Sequence, residues 1–264
     1  MPDSLTRWLG WGAGMMLAKQ PTRPLDSIPT SLLPHATLGY IAFYQDWDFA
    51  KTEQQLREAI RLDPSYASAH HWYANYLYAM KSPVYLNELH EAQRLDPFSS
   101  PINATLAYAL MSSGDVSTAS ALANDILRED PAFSTTHVIL ALCYENRSMY
   151  KEAARELSQA ERAGYNPADL IAERGYLNAL SGKKDDAFRE IRTLETLKGG
   201  EPSDVGLARI YMALHRPTDA MRHLESAYAV RDFQLLNPAV DKDFASLKGK
   251  KEFGLLLDRI GLPR

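Results

Sequence analysis

Residues 132–165 read AFSTTHVILALCYENRSMYKEAARELSQAERAGY, which is one copy of a pattern that recurs along most of the chain. One small residue per copy recurs every 33 to 35 positions, at Gly39, Ala74, Ala107, Ala141, Gly175 and Ala208. A second series follows the first by 18 to 20 positions, at Ala59, Ala92, Ile126, Ala160, Leu194 and Ala227. Two series in register indicate an internal repeat of about 34 residues, a length typical of stacked helix–turn–helix units.

Helix-ending residues mark the boundaries between these units. Proline ends a helix because it lacks a backbone N–H and disfavours helix in the residue before it, whereas glycine suits a left-handed helix cap. The first four units close on such signals, at Leu62-Asp63-Pro64, Leu95-Asp96-Pro97, Asp130-Pro131 and Gly164. A further break, Gly199-Gly200-Glu201-Pro202, precedes the sixth unit.

These signals predict an all-α, right-handed superhelical solenoid of about six helical hairpins over residues 34–230. A solenoid must cover its last apolar face, and residues 231–264 carry enough phenylalanine and leucine to form that C-terminal cap. Residues 1–33 are rich in glycine and proline, and we expect them to form a degenerate or flexible N-terminal segment.

The packing between units depends on a further small position near the start of each second helix. The last four units fill it with alanine, at Ala119, Ala153, Ala187 and Ala220. The first two units have Thr52 and Tyr85 there, so we expect looser packing in those units.

The composition argues against several classes of function. The chain of 264 residues has a formal net charge of −4 and no long run of basic residues, which disfavours binding to nucleic acid. We therefore predict no nucleic-acid binding. No apolar stretch is long enough to span a membrane, so we predict no membrane insertion either. We expect a cytoplasmic protein, although the apolar run at residues 8–18 leaves export open.

Three strings carry a resemblance to a known family. They are LGYIAFYQDWDF at residues 38–49, HHWYANYL at 70–77, and a C-terminal region from VDKDF at 240–244 to IGLP at 260–263. Together with the repeats, they resemble the C-terminal tetratricopeptide region of bacterial multidomain regulators, which begin with a winged-helix domain or a Ser/Thr kinase. The resemblance covers about residues 36–263 and implies tetratricopeptide repeats that serve interaction or sensing, in a truncated or independently evolved relative.

No group of residues indicates catalysis or metal binding. Adjacent helical residues such as His70 and His71 point about 100° apart and cannot chelate one metal together. Cys143 is the sole cysteine and lies among apolar residues, which favours an inert buried thiol. We therefore predict a non-enzymatic protein with no cofactor and no metal.

The concave groove is the candidate binding surface. Aligning the repeats predicts that one set of side chains faces inward: Tyr40, His71, Asn75, Tyr78, Tyr108, Met111, Leu142, Glu145, Tyr176 and Arg209. This set is rich in aromatic residues and nearly neutral, which suits a peptide with apolar side chains. The alternative is that several of these tyrosines pack against the next helix. A carboxylate clamp like that of chaperone-binding relatives is not expected, because His71 replaces its lysine.

The sequence is compatible with two functions. The first is a non-catalytic scaffold or regulatory module that binds a protein or peptide in the groove. The second is a sensory domain that binds a small molecule between helices, which an enclosed pocket would favour. The identity of the partner and homo-oligomerisation stay open.

Overall fold

The computed structural model describes residues 32–197, 203–237 and 241–264, and every regular element in these ranges is helical. Most of the predicted N-terminal segment and the glycine-rich break at 199–202 lie outside the described residues. The α-helices are α1 (Leu32–Ile41), α2 (Phe49–Leu62), α3 (Ala67–Ala79), α4 (Tyr85–Leu95), α5 (Ser100–Ser113), α6 (Val116–Glu129), α7 (Thr135–Asn146), α8 (Tyr150–Arg162), α9 (Pro167–Leu180), α10 (Lys184–Glu195), α11 (Asp204–Ala213), α12 (Pro217–Ala229) and α13 (Lys251–Ile260).

The first twelve helices form six hairpins, from α1–α2 to α11–α12, and the two helices of each hairpin pack against each other. Each hairpin also packs against the next one, and the first helices of neighbouring units contact one another, as α9 and α11 do. The prediction of an all-α, right-handed superhelical solenoid with six units is confirmed. Within the described residues, no helix is both long enough and apolar enough to cross a bilayer.

The recurring small residues lie where two helices approach most closely. A Cβ atom added to Gly175 would lie 2.5 Å from Cδ1 of Ile210 in the next unit. A Cβ atom on Gly39 would lie 2.6 Å from Cγ of Leu56 in the paired helix. Both distances are shorter than van der Waals contact, so the close approach itself requires a small residue at these positions.

Enlarging one buried alanine should test this packing. Ala153 on α8 is fully buried, and its neighbour Ala154 is exposed on the same helix. Ala153→Leu should lower the free energy of unfolding by about 1–3 kcal/mol, because the tight helix contact cannot accept a larger side chain. Ala154→Leu is the matched control and should leave denaturant unfolding almost unchanged. Equal effects of the two substitutions would contradict this description of the interface.

The expectation of looser packing in the first two units is wrong for Thr52. Thr52 is as buried as the alanines at the corresponding positions, and its hydroxyl donates to the Asp48 carbonyl oxygen at 2.8 Å. That intrahelical hydrogen bond satisfies the hydroxyl, so threonine fits the close contact. Tyr85 differs because it is only half-buried and its ring lies 5.1 Å from the Tyr78 ring.

The turn inside each hairpin reverses the chain sharply after the first helix. From the second unit to the sixth, each turn holds one residue in the left-handed region, namely Lys81, Gly114, Ser148, Gly182 and His215. Such a residue ends a helix by directing the next backbone N–H groups toward the last carbonyls. The repeated turn therefore places the carboxyl ends of successive first helices side by side.

The C-terminal residues run back along the concave face. We call residues 231–237 and 241–247 the C-terminal strap; it contains two short 3₁₀ helices, Phe233–Leu236 and Lys242–Leu247. The ring of Phe233 lies 6.2 Å from that of Tyr44 in the first unit. The strap therefore extends beyond the last unit, where the sequence predicted only a terminal cap.

The strap and α13 bring the two ends of the solenoid together. The Arg231 guanidinium lies 6.0 Å from the centre of the Trp47 ring, and the Trp47 ring lies 6.0 Å from that of Tyr228. Gly261 lies so close to Phe49 that an added Cβ atom would be 3.1 Å from Cε2 of that ring. The six units thus form a closed superhelix, in which the first unit contacts the last.

Candidate functional site

A chamber remains open on the concave face between the strap and the first helices of the units. Its volume is about 410 Å³. Side chains from α3, α5, α7, α9, α11 and the strap line it, with Tyr85 and Tyr150 from the starts of α4 and α8: Tyr78, Tyr85, Tyr108, Met111, Ser112, Ser113, Leu142, Glu145, Asn146, Tyr150, Tyr176, Leu180, Arg209, Asp241, Lys242 and Asp243.

Four helices end beside this chamber. Tyr78 is next to last in α3, and Ser113, Asn146 and Leu180 are the last residues of α5, α7 and α9. The carboxyl end of an α-helix carries a partial negative charge from its aligned peptide dipoles. The ends of these helices therefore contribute partial negative charge to the chamber in addition to that of the side chains.

A buried ion-pair network lies on one wall of the chamber. Arg209 Nη1 lies 2.6 Å from Glu173 Oε1, and Arg209 Nε lies 2.9 Å from Asp243 Oδ2. The Tyr176 hydroxyl donates to Asp243 Oδ1 at 2.6 Å, and the Arg209 guanidinium lies 4.5 Å from the centre of the Tyr176 ring. This network ties α9 and α11 to the strap through one arginine.

Two other carboxyl groups beside the chamber, those of Glu145 and Asp241, form no direct ion pair with any residue that the structure describes. Glu145 on α7 is 9% exposed, and its Oε1 atom has no hydrogen-bond partner. Burial raises the pKa of Glu145 well above its usual range, and the nearby Glu173 carboxylate raises it further. Burial, together with the charge of Asp243, also raises the pKa of Asp241 to about 6.

Tyrosines from successive units form the remaining walls. Burial raises the pKa of Tyr78 to about 12, and burial raises the pKa of Tyr108 well above its ordinary value. Tyr176 contacts both Arg209 and Asp243. These phenols stay neutral at physiological pH and present aromatic faces to the chamber.

The structure brings together seven of the ten residues predicted to face the groove. They line the chamber and are Tyr78, Tyr108, Met111, Leu142, Glu145, Tyr176 and Arg209. Asn75 lies nearby in a smaller cavity of about 70 Å³ and donates to the Tyr44 hydroxyl at 3.2 Å. The alignment of the repeats thus placed seven residues around one cavity.

Tyr40 and His71 need correction, because the structure buries both between helices. The Tyr40 ring lies 4.5 Å from Tyr44 and 5.2 Å from Trp72, so it belongs to the packing of the first unit. His71 Nε2 lies 2.8 Å from the Thr105 hydroxyl, which links α3 to α5. Burial lowers the pKa of His71 to about 4, so the ring is neutral at physiological pH. These residues fit the alternative that some inward-facing side chains pack against the next helix.

The prediction of a nearly neutral groove is also wrong. Glu173, Asp241, Lys242 and Asp243 were missing from the predicted set. Three of them belong to the strap, which carries them into the concave face from outside the repeat pattern. The string VDKDF at 240–244 shows the charges of the three strap residues but not where they lie in the fold. Repeat spacing contains no information about a segment that does not repeat.

Nothing in the described part of the chain points to a metal centre. No group of three or more histidine, cysteine, aspartate or glutamate side chains there has a geometry that could hold an ion. Cys143 is buried, and burial raises the pKa of its thiol, so the thiolate form is disfavoured.

No protein-family model matches the chain, and no curated protein matches it. Among solved structures, PilW, a widely conserved type IV pilus biogenesis factor, aligns with a TM-score of 0.58 and 16% identity over 83% of this chain and 99% of its own. PilF of Pseudomonas aeruginosa aligns with a TM-score of 0.55 and 16% identity, over 84% and 98% of the two chains.

A tetratricopeptide repeat protein from Parabacteroides merdae is similar over 88% of this chain and 93% of its own, with a TM-score of 0.51 and 15% identity. Identities this low show a shared fold and nothing more. The chain therefore has the architecture of a tetratricopeptide-repeat α-solenoid, here closed along its concave face by its own C-terminal strap.

Proposed function

We propose that this chain is a non-catalytic interaction module that binds a partner protein, with the chamber on the concave face as the contact that selects the partner. The observation that carries the proposal is the chamber itself, a cavity of about 410 Å³ lined by side chains from successive units. Tetratricopeptide architecture offers a rigid concave surface of this kind, on which successive helices supply contacts.

The size of the chamber limits how a partner binds. The strap fills much of the concave face, so a long peptide cannot lie along the whole groove. A cavity of this volume accommodates one or two side chains or a chain end, and tyrosines with Leu142 and Met111 supply contact area for them. The resemblance to the repeat region of bacterial regulators supports a regulatory or sensing use of this contact.

A second candidate is the binding of a free small molecule. The chamber volume falls within the range of about 300–1,000 Å³ that is usual for ligand pockets. Its walls also combine aromatic faces with convergent polar groups, as such pockets do.

Blocking the chamber tests the proposal. Ser112 lies at its edge, is exposed, and its hydroxyl bonds to the hydroxyl of Tyr78, so a large residue there would fill the opening. Ser112→Trp should weaken binding of a partner captured from the native host by at least about tenfold, as measured by calorimetric titration. Ser117→Trp, at an exposed position on α6, is the matched control and should bind normally.

The result can also go against the proposal. If Ser117→Trp weakens binding and Ser112→Trp does not, the partner contacts the outer helices instead of the chamber. If native mass spectrometry of the protein finds a small molecule that Ser112→Trp displaces, while no protein partner depends on Ser112, the second candidate replaces the first.

A further inference from the structure

The charges around the chamber are unbalanced. Four carboxyl groups, those of Glu145, Glu173, Asp241 and Asp243, lie near two cations, Arg209 and Lys242. Arg209 is already engaged by Glu173 and Asp243. Glu145 and Asp241 are therefore left without a direct positive partner among the described residues.

Glu145 is the most informative of these groups. Its carboxyl lines the chamber, is more than nine-tenths buried, and has an oxygen atom with no hydrogen-bond partner. A buried acceptor that lacks a partner costs free energy, which a bound donor recovers. The charged groups that act on it from the surrounding elements are Glu173, Arg209, Asp243 and Lys242. A second unpaired oxygen, Oε2 of Glu173, lies beside a smaller cavity of about 90 Å³ that shares Tyr108, Leu142, Arg209 and Asp241 with the chamber.

The backbone and the aromatic residues favour the same kind of ligand. The carboxyl ends of α3, α5, α7 and α9 meet at the chamber and contribute partial negative charge. Aromatic faces attract cations through their ring electrons, and the chamber is lined by Tyr78, Tyr85, Tyr108, Tyr150 and Tyr176. The contact between Arg209 and the Tyr176 ring shows this type of interaction within the protein itself.

The chain places one of its own ammonium groups at the edge of this site. Lys242 Nζ lies 2.5 Å from Asn146 Oδ1, and Asn146 follows Glu145 at the end of α7. Lys242 is exposed, so its charge lies at the opening while the Glu145 carboxyl lies deeper. The edge of the chamber thus already accepts a primary ammonium, and the interior holds an acceptor for another.

We propose that the chamber binds an alkylammonium group, with the Glu145 carboxylate as its counter-ion and the tyrosine rings around its methylene or methyl groups. This inference rests on the proposed function and specifies its chemistry: the selected feature is a lysine side chain of the partner or, by the same chemistry, a free aliphatic amine. Carboxylate-bearing and phosphate-bearing ligands are disfavoured by the same charges.

The test uses the full chain and three probes in calorimetric or NMR titrations. The first is the capped tripeptide acetyl-Gly-Lys-Gly-amide, the second its neutral norleucine counterpart, and the third putrescine. The lysine peptide or putrescine should bind at least about tenfold more tightly than the norleucine peptide. Tighter binding of the peptide assigns the ammonium to a partner protein, and tighter binding of putrescine assigns it to a free amine.

One substitution tests whether Glu145 is the counter-ion of the bound ammonium group. Glu145→Gln should weaken binding of the better cationic probe by at least about tenfold, because the amide keeps the shape but cannot ionise, whereas a bound ammonium favours the charged form of the Glu145 carboxyl. The variant should fold, since Glu145 has no ion-pair partner to lose, and a thermal melt checks this. Glu129→Gln, at an exposed position on α6, is the matched control and should bind like the unmodified protein.

Three outcomes would overturn the inference: equal binding of the lysine and norleucine peptides, no binding of either cationic probe, or equal effects of the two glutamine substitutions. None of them removes the proposed function, which depends on the effect of Ser112→Trp on the captured partner. If the norleucine peptide binds and Ser112→Trp blocks it, the chamber is the binding site and the preference for a cation is wrong.

Discussion

Deletion of residues 231–264 should destabilise the protein by roughly 5 kcal/mol or more and cause it to self-associate. The deleted part buries a set of large apolar side chains, namely Leu235, Leu236, Phe244, Leu247, Phe253, Leu256, Leu257, Ile260 and Leu262. Each such side chain contributes roughly 1.5–3 kcal/mol when fully buried, and only part of the sum is offset by the entropy of ordering the segment. The expected loss is comparable to the whole stability of an ordinary domain.

Light scattering and thermal unfolding measure this effect. A shorter deletion of residues 251–264 removes α13 and leaves the strap, so it should cost less than the full deletion. Phe244→Ala provides a milder third variant, for which about 3–5 kcal/mol is expected because Phe244 is fully buried. A protein that stays monomeric and melts normally without residues 231–264 would show that the strap and α13 contribute little to the fold.

Replacement of Arg209 by alanine should cost about 3–5 kcal/mol of stability. Arg209 is the direct counter-ion of both Glu173 and Asp243, and the three side chains are only 16%, 11% and 7% exposed. Removing one partner of a buried ion pair leaves the other charge desolvated, which costs far more than the pair itself contributes. Arg209→Lys should also destabilise the protein, because an ammonium cannot reproduce the forked contact and the stacking on Tyr176.

The matched control is Arg155→Ala, at an exposed position on α8, which should leave chemical denaturation unchanged. A charge-balanced variant distinguishes uncompensated charge from lost packing as the cause of the destabilisation. Combining Arg209→Met with Glu173→Gln and Asp243→Asn removes all three charges, and it should restore much of the lost stability. If this triple variant is no more stable than Arg209→Ala, the loss does not come from uncompensated charge.

Repeat spacing was sufficient to predict the fold. Small residues such as Gly175 are required where two helices approach closely, and this close approach recurs in every unit. The spacing of these residues along the sequence therefore indicates the architecture directly. The same period also placed Tyr78, Tyr108, Glu145 and Tyr176 on a common inner surface, because equivalent positions of stacked units point in equivalent directions.

The rest of the site could not be predicted in this way. Asp241, Lys242 and Asp243 belong to a segment without a repeat, and its path is determined by long-range packing of residues such as Phe233 and Phe244. Local pattern could not distinguish a side chain that faces the groove from one buried by the next helix, which is why Tyr40 and His71 were placed wrongly. Thr52 was misjudged because its hydroxyl finds an acceptor within its own helix.

The closed superhelix has a consequence for how this protein folds. An open solenoid has contacts only between neighbouring units, so it can grow from either end by local steps. Here Arg231 donates to the backbone of Asp46 across 185 positions of sequence, and such distant contacts form slowly because a long loop must close first. During synthesis the first unit is complete long before the strap leaves the ribosome. We therefore expect closure of the chamber to be the last step of folding, with the inner tyrosines facing an open groove until then.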